Sequence, residues 1–165
     1  MKIRWIGAIL AFFLSSASLS SCVEGTRNTN TKPATNVQST TENANSAKTN
    51  VEELGLLVVV PYESEDIVWK EYPSQKRIVA VLRFSPADSA KVVAEAEKYG
   101  QPQAASISSE TWFPAELIAQ SEMSGDDNLN GNSYPANQFF QEPYSSGRII
   151  RINNSDYFVL DVTAK

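Results

Sequence analysis

The chain has 165 residues, of which 42% are hydrophobic and 20% charged, and its 19 acidic residues outnumber its 14 lysines and arginines. This length allows one modest folded domain with a single core. Because the chain has one cysteine and no histidine, it lacks the residues for a histidine-based catalytic triad, a zinc cage, a CxxC redox pair or an internal disulfide.

The first 21 residues have the three parts of a secretory signal peptide. Lys2 and Arg4 form a basic start, residues 5–14 form an uncharged apolar run, and small residues follow. This order is typical of a signal for export. Serines interrupt the run before it reaches the roughly 20 apolar residues that a membrane-spanning helix needs. We therefore predict a signal peptide over residues 1–21.

Residues 19–22 read Leu-Ser-Ser-Cys, which resembles the lipobox of bacterial lipoproteins. The resemblance covers residues 1–22 only. It implies that the Cys22 thiol receives a diacylglyceryl group, that the peptide before it is removed, and that the new amine is acylated. Two or more acyl chains anchor a protein stably, so the resemblance implies a lipid anchor in the cell membrane. The alternative is an ordinary secretory signal with a chance cysteine.

The residue after the cysteine bears on the membrane that holds the anchor. Lipoproteins of the inner membrane often carry Asp at this position, whereas this chain has Val23. The resemblance therefore favours the outer membrane, with the protein facing the periplasm.

Residues 22–50 are predicted to form the lipidated cysteine and a disordered tether. Of the 28 residues after Cys22, 16 are Ser, Thr, Asn or Gln and none is aromatic. Such a segment buries too little apolar surface to offset the entropy lost on ordering. As a flexible coil it would span about 30 Å. The alternative is a set of loops packed on the domain.

The folded domain is predicted to span residues 51–165, which contain 13 of the 16 aromatic residues. This segment has nine lysines and arginines against 17 acids, a net charge of −8. A negative balance of this size opposes binding to nucleic acid or to anionic lipid. We therefore expect no nucleic-acid partner and contact with the membrane only through the anchor.

Two strands joined by a turn are predicted near the start of the domain. The apolar residues 54–60 either add an edge strand or dock on the fold. Residues 66–72 are rich in strand formers, and residues 76–84 alternate in side-chain direction. The residues Pro-Ser-Gln at 73–75 separate the two segments as a turn. The pattern predicts a β-hairpin.

Two helices are predicted next. Ser85 is suited to the N-cap and Pro86 to the first helical position, and Gly100 ends the helix. A second, shorter helix is predicted to begin at Pro114, with apolar residues at 117 and 118 buried.

The last predicted elements are two strands, over residues 148–152 and 157–162, which flank a turn-rich tetrapeptide at 153–156. They form a second hairpin. Two hairpins with helices between them predict a small two-layer α+β domain, in which an antiparallel sheet carries one or two helices on one face.

Residues 126–131 read DDNLNG, which matches the D-x-N-x-N-G opening of a calcium loop. The ligands would be Asp126, Asn128, Asn130 and the carbonyl oxygen of Asn132. The pattern is incomplete, because Asn137 stands at the twelfth position, where a calcium loop has a bidentate Glu. The alternative interpretation is an Asx-rich surface loop.

Residues 134–144 hold four aromatic residues and two prolines, and Trp112 lies shortly before the second predicted helix. Rigid aromatic side chains bind partners at low entropic cost. Trp112, Tyr134 and Tyr144 are therefore predicted to remain partly exposed and to contact a protein or glycan. The alternative is an apolar lid over the sheet.

The sequence lacks the common catalytic motifs, including G-x-S-x-G, S-x-x-K and the P-loop. Without histidine, a catalytic base at neutral pH would need an Asp or Glu with a strongly raised pKa. We therefore predict a lipid-anchored cell-envelope protein that acts as a non-catalytic binding or assembly module without a cofactor. The alternatives are a small carboxylate-dependent hydrolase of envelope polymers and a calcium-binding structural domain.

Overall fold

A computed structural model describes residues 46–165 of the chain. The predicted signal peptide, Cys22 and most of the predicted tether lie outside the described residues. The helices are α1 (Val51–Gly55), α2 (Pro86–Ala96) and α3 (Ala115–Ser124), and the strands are β1 (Ser64–Tyr72), β2 (Arg77–Phe84), β3 (Gln103–Ser108), β4 (Asn128–Pro135), β5 (Tyr144–Ile152) and β6 (Tyr157–Ala164). Short 3₁₀ helices occupy Pro73–Gln75 and Asn137–Phe139.

The strands form one antiparallel sheet in the order β1-β2-β6-β5-β4-β3. Both predicted hairpins are present: β1 pairs with β2 across the Pro73–Gln75 turn, and β5 pairs with β6. Their turns contain Lys76 and Asn154, which have positive φ angles of 47° and 58°. The α+β class and the antiparallel sheet are therefore confirmed.

The sheet has two more strands than the two hairpins that were predicted. β3 and β4 pair with each other, and β4 also pairs with β5. Neither segment is rich in the branched and aromatic residues that favour strands. Their extended conformation depends on pairing with residues that are distant in sequence, which local patterns do not show.

Helices cover both faces of the sheet, so the prediction of helices on one face is wrong. The first face packs β2 and β6 side chains such as Leu82 and Leu160 against Val92 of α2. The second face packs the alternate side chains, such as Val81, against Leu117 of α3. Because β2 is apolar on both sides, each side must be removed from water, and the fold has three layers.

The helices begin much as predicted. The Ser85 hydroxyl accepts a hydrogen bond from the Asp88 amide at 3.1 Å and caps α2. The helix was predicted to run to Tyr99, before Gly100, but α2 ends at Ala96 and a turn spans residues 97–99. α3 follows Pro114 and ends at Gly125, whose φ is 78°.

The start of the domain docks on the rest without forming a strand at residues 54–60. Leu54 and Val58 are fully buried in the core of the first face. Lys48 exchanges backbone hydrogen bonds of 2.7 and 2.8 Å with Trp69 of β1. The folded domain therefore begins slightly before residue 51. Within residues 46–165, no helix is both long and apolar enough to cross a membrane.

Candidate functional site

Part of the first face, on β3, β4 and β5, carries polar side chains that none of the three described helices covers. Ser106 lies opposite Asn130, and Asn132 lies opposite Arg151. These positions share one side of the sheet, since Arg151 also lies opposite Phe158, a core residue of the first face. We call Ser106, Asn130, Asn132 and Arg151 the polar face. The first three are exposed and Arg151 is half-buried.

An open pocket of about 430 Å³ lies between the polar face and the β5–β6 turn. This volume is within the range of small-molecule sites. Its lining is mainly amide, hydroxyl and charged groups, contributed by Asn132, Tyr134, Arg151, Ile152, Asn153, Asn154, Ser155 and Asp156. The β5–β6 turn and the end of β4 therefore build a pocket suited to a polar ligand.

Arg151 differs from the other arginines of residues 46–165 in having no acidic partner. Arg77 and Arg148 lie 2.6 and 3.8 Å from the carboxylate oxygens of Asp161. Arg83 lies 3.6 Å from Glu65. In the described part of the chain, the Arg151 guanidinium forms neither an ion pair nor a hydrogen bond. Its five N–H donors are therefore available to a ligand in the pocket.

The Tyr134 hydroxyl is a second polar group of the pocket. Burial and the charge of Glu97 raise the pKa of Tyr134, and the nearby charge of Arg151 opposes this shift. The phenol is therefore neutral at physiological pH and keeps its proton as a donor. Its ring is 7% exposed and packs in the core, which fixes the position of the hydroxyl.

The structure does not bring the four predicted calcium ligands together around one point. The Asp126 carboxylate accepts hydrogen bonds from the Ser124 hydroxyl and the Asn128 amide, which lower the pKa of Asp126. Asn128, Asn130 and Asn132 lie along β4, where residues two apart are separated by about 7 Å. Within residues 46–165, no three His, Cys, Asp or Glu side chains are grouped to hold a metal ion.

The glycine of the DDNLNG pattern is required by the packing of two strands. A Cβ atom at Gly131 would lie 2.2 Å from the carbonyl oxygen of Arg151. The pattern therefore forms a turn followed by a strand, and it places three asparagines on one side of that strand.

The three aromatic residues predicted to contact a partner do not share a surface. Tyr134 and Tyr144 are 7% and 6% exposed and belong to the core of the first face. Trp112 is half-buried and packs on the second face. The expected partial exposure is therefore wrong for Tyr134 and Tyr144, which are buried residues of β4 and β5.

Trp112 belongs to a hydrogen-bonded cluster that ties the segment before α3 to β1. The Tyr72 hydroxyl and the Trp112 indole donate to the same Glu110 oxygen at 2.6 and 2.7 Å. Burial, and then the bond to Glu110, raise the pKa of Tyr72 to about 12. Because both donors bind the same carboxylate oxygen, the cluster holds the segment before α3 against β1. The oxygen has little hydrogen-bonding capacity left for a catalytic role.

Comparison with protein-family models, curated proteins and solved structures finds no match for this chain. The site is therefore interpreted from its own chemistry. Sequence reasoning overlooked Arg151 and the turn residues Asn154 and Asp156 as site residues. One feature of the sequence could have identified Arg151. It lies two residues after Ile149 in the predicted strand, so both side chains are on the same side of the sheet, and a charged residue was unexpected on the side that was predicted to be covered.

Proposed function

We propose that the protein is a lipid-anchored cell-envelope protein whose α+β domain is a non-catalytic binding module. The binding site is the polar face with its pocket. The observation that supports this most is the free guanidinium of Arg151 beside an open pocket of about 430 Å³, in a domain whose other arginines are paired.

The contrast with an ordinary solvated surface supports this assignment. On α2, Lys91 and Lys98 lie 2.7 and 2.6 Å from Asp88 and Glu95, three residues earlier on the same helix. Such pairs are typical of exposed helices and contribute little. The polar face instead combines an unpaired cation with uncharged donors and acceptors on rigid strands, which is an arrangement that a ligand can complete.

Three acidic side chains of the domain are engaged by neighbouring groups, which favours binding over hydrolysis. Hydrogen bonds, chiefly from Lys91 and from Ser124, lower the pKa values of Asp88 and Asp126 respectively. These groups are ionised at neutral pH and cannot serve as a proton donor. Asp161 is held between Arg77 and Arg148.

The anchor is supported by the lipobox-like sequence at residues 19–22 and the absence of any other cysteine from the chain. Val23 supports an outer-membrane location facing the periplasm. The net charge of −8 over residues 51–165 supports a domain that stays clear of anionic headgroups and meets its ligand in the aqueous phase.

Photo-crosslinking in intact cells tests the binding function. Benzoylphenylalanine in place of Asn132 is expected to form a covalent adduct, because this position is exposed and lines the pocket. The matched control is the same amino acid in place of Met123, which is 88% exposed on α3, over the second face. Adducts at both positions alike, or no adduct at position 132, would contradict the proposal.

A further inference from the structure

The pocket beside the polar face has a single cationic group, and its surroundings leave that group free for an anion. The cross-strand neighbours of Arg151 are Asn132 and Phe158, which are uncharged. The planar fork of a guanidinium matches the two oxygens of a carboxylate and binds them with parallel hydrogen bonds. A ligand carboxylate would therefore give Arg151 the partner that Arg77, Arg83 and Arg148 already have.

The rest of the lining matches hydroxyl groups. The amides of Asn132, Asn153 and Asn154 both donate and accept, as does the hydroxyl of Tyr134. A sugar hydroxyl also donates and accepts, so every hydroxyl of a sugar ring can form hydrogen bonds with these groups. The Ser155 hydroxyl already donates to the Ile152 carbonyl and accepts from the Tyr157 amide, and so shapes the turn. Asp156 accepts hydrogen bonds and repels a second anion. The lining thus fits one sugar ring that carries a carboxylate among neutral hydroxyls, and the further carboxylates of a longer saccharide would lie outside the pocket.

The same lining offers little to the side chains of a peptide. Its apolar members are Ile152, which is 1% exposed, and the ring of Tyr134, which is 7% exposed. Peptide recognition usually relies on pockets for anchoring side chains. The amide-rich and hydroxyl-rich surface favours a saccharide over a peptide.

We infer that the polar face binds a carboxylate-bearing saccharide, with the Arg151 guanidinium paired to the carboxylate and the β5–β6 turn bound to the ring hydroxyls. This inference rests on the proposed binding function and specifies its ligand class.

Calorimetric titration of the purified, full-length mature protein in detergent tests the inference. Two uronate-containing oligosaccharides, called oligouronates below, serve as probes: trigalacturonate and a hyaluronate tetrasaccharide. We expect at least one to bind with a Kd of about 1 mM or tighter. Arg151→Gln is expected to weaken this binding roughly ten- to a hundredfold, because it removes charge-assisted hydrogen bonds. Neutral maltotriose should bind as weakly as the oligouronates bind to this variant.

The matched control is Arg148→Gln, which changes the same residue type on the same strand. Arg148 pairs with Asp161, and its position in β5 has the opposite parity, so it faces the other side of the sheet. This variant should bind the oligouronates like the wild type. The melting temperature of each variant, measured by circular dichroism, separates lost contacts from lost folding.

Two results would overturn the inference: neither oligouronate binds to the wild-type protein, or binding does not depend on Arg151. Trialanine, which has a carboxylate but no hydroxyls, distinguishes the ligand classes. If trialanine binds through Arg151 and the oligouronates do not, the saccharide inference is wrong while the binding function stands. Loss of the specific crosslink at position 132 would instead reject the binding function itself.

Discussion

Gly131→Ala is expected to destabilise the domain by about 3 kcal/mol, near the upper end of the cost of overpacking a core. A Cβ atom at this position would lie 2.2 Å from the carbonyl oxygen of Arg151 and 3.0 Å from a methyl group of Ile150. The first contact is with backbone, so β4 and β5 must move apart. Thermal unfolding followed by circular dichroism should show a melting temperature lower by about 10 °C.

Gly55→Ala provides the matched control for this change. No atom lies within 4 Å of a Cβ built at Gly55, which ends α1. The same added methyl group should therefore alter stability by less than about 1 kcal/mol, and in the stabilising direction. Equal melting temperatures for the two variants would show that β4 and β5 do not pack as closely as described.

Cys22→Ala is expected to abolish incorporation of radiolabelled palmitate into the protein. The variant removes the only sulfur atom that the lipobox-like sequence offers for acylation. Because the thiol and the new amine that the resemblance implies for acylation both belong to Cys22, the effect should be complete and not partial. Immunoprecipitation of the protein from labelled cells, followed by autoradiography, measures it.

Ser20→Ala is the control for the palmitate experiment, since it keeps a small residue two positions before Cys22. This variant should be labelled like the wild type. Label that persists in Cys22→Ala, or that is absent from the wild-type protein, would reject the lipid anchor.

Local sequence patterns predict the elements whose signals are contained within a few residues. The alternation in β2, the turn at Pro73–Gln75 and the cap at Ser85 each act over short distances, and each is present in the fold. The second buried side of β2 could also have been predicted from the sequence. Val79 and Val81 are as apolar as the residues that alternate with them in β2, and both are fully buried against the second face.

The strands β3 and β4 could not be predicted from local sequence, because they form by pairing with residues that are distant along the chain. β3 consists of small and polar residues and lies at the edge of the sheet. In β4, asparagines alternate with Leu129 and Gly131, which are buried. This alternation also satisfies the oxygen spacing of a calcium loop, so the sequence fits two interpretations. The close approach of β5 to Gly131 distinguishes them.

The candidate site was predicted only in part for a related reason. Asn130 and Asn132 were identified for the oxygens of their side chains and backbone, and both lie on the polar face. The position of Arg151 in the predicted strand placed it on the side expected to be covered, but its lack of an ion pair depends on where the acidic groups lie in the packed fold. Tyr134 was predicted to remain partly exposed, whereas core residues that are distant in sequence cover its ring.

Protection of an introduced cysteine from a thiol reagent in living cells tests most directly whether the polar face is the binding surface. Asn132→Cys should react with a membrane-permeant maleimide roughly tenfold more slowly in cells than after purification, as for a site that is about 90% occupied. Met123→Cys, at a position 88% exposed, should react equally in both settings, and the unmodified sequence should not react if the Cys22 sulfur is acylated. Equal rates for Asn132→Cys in cells and after purification would contradict the account.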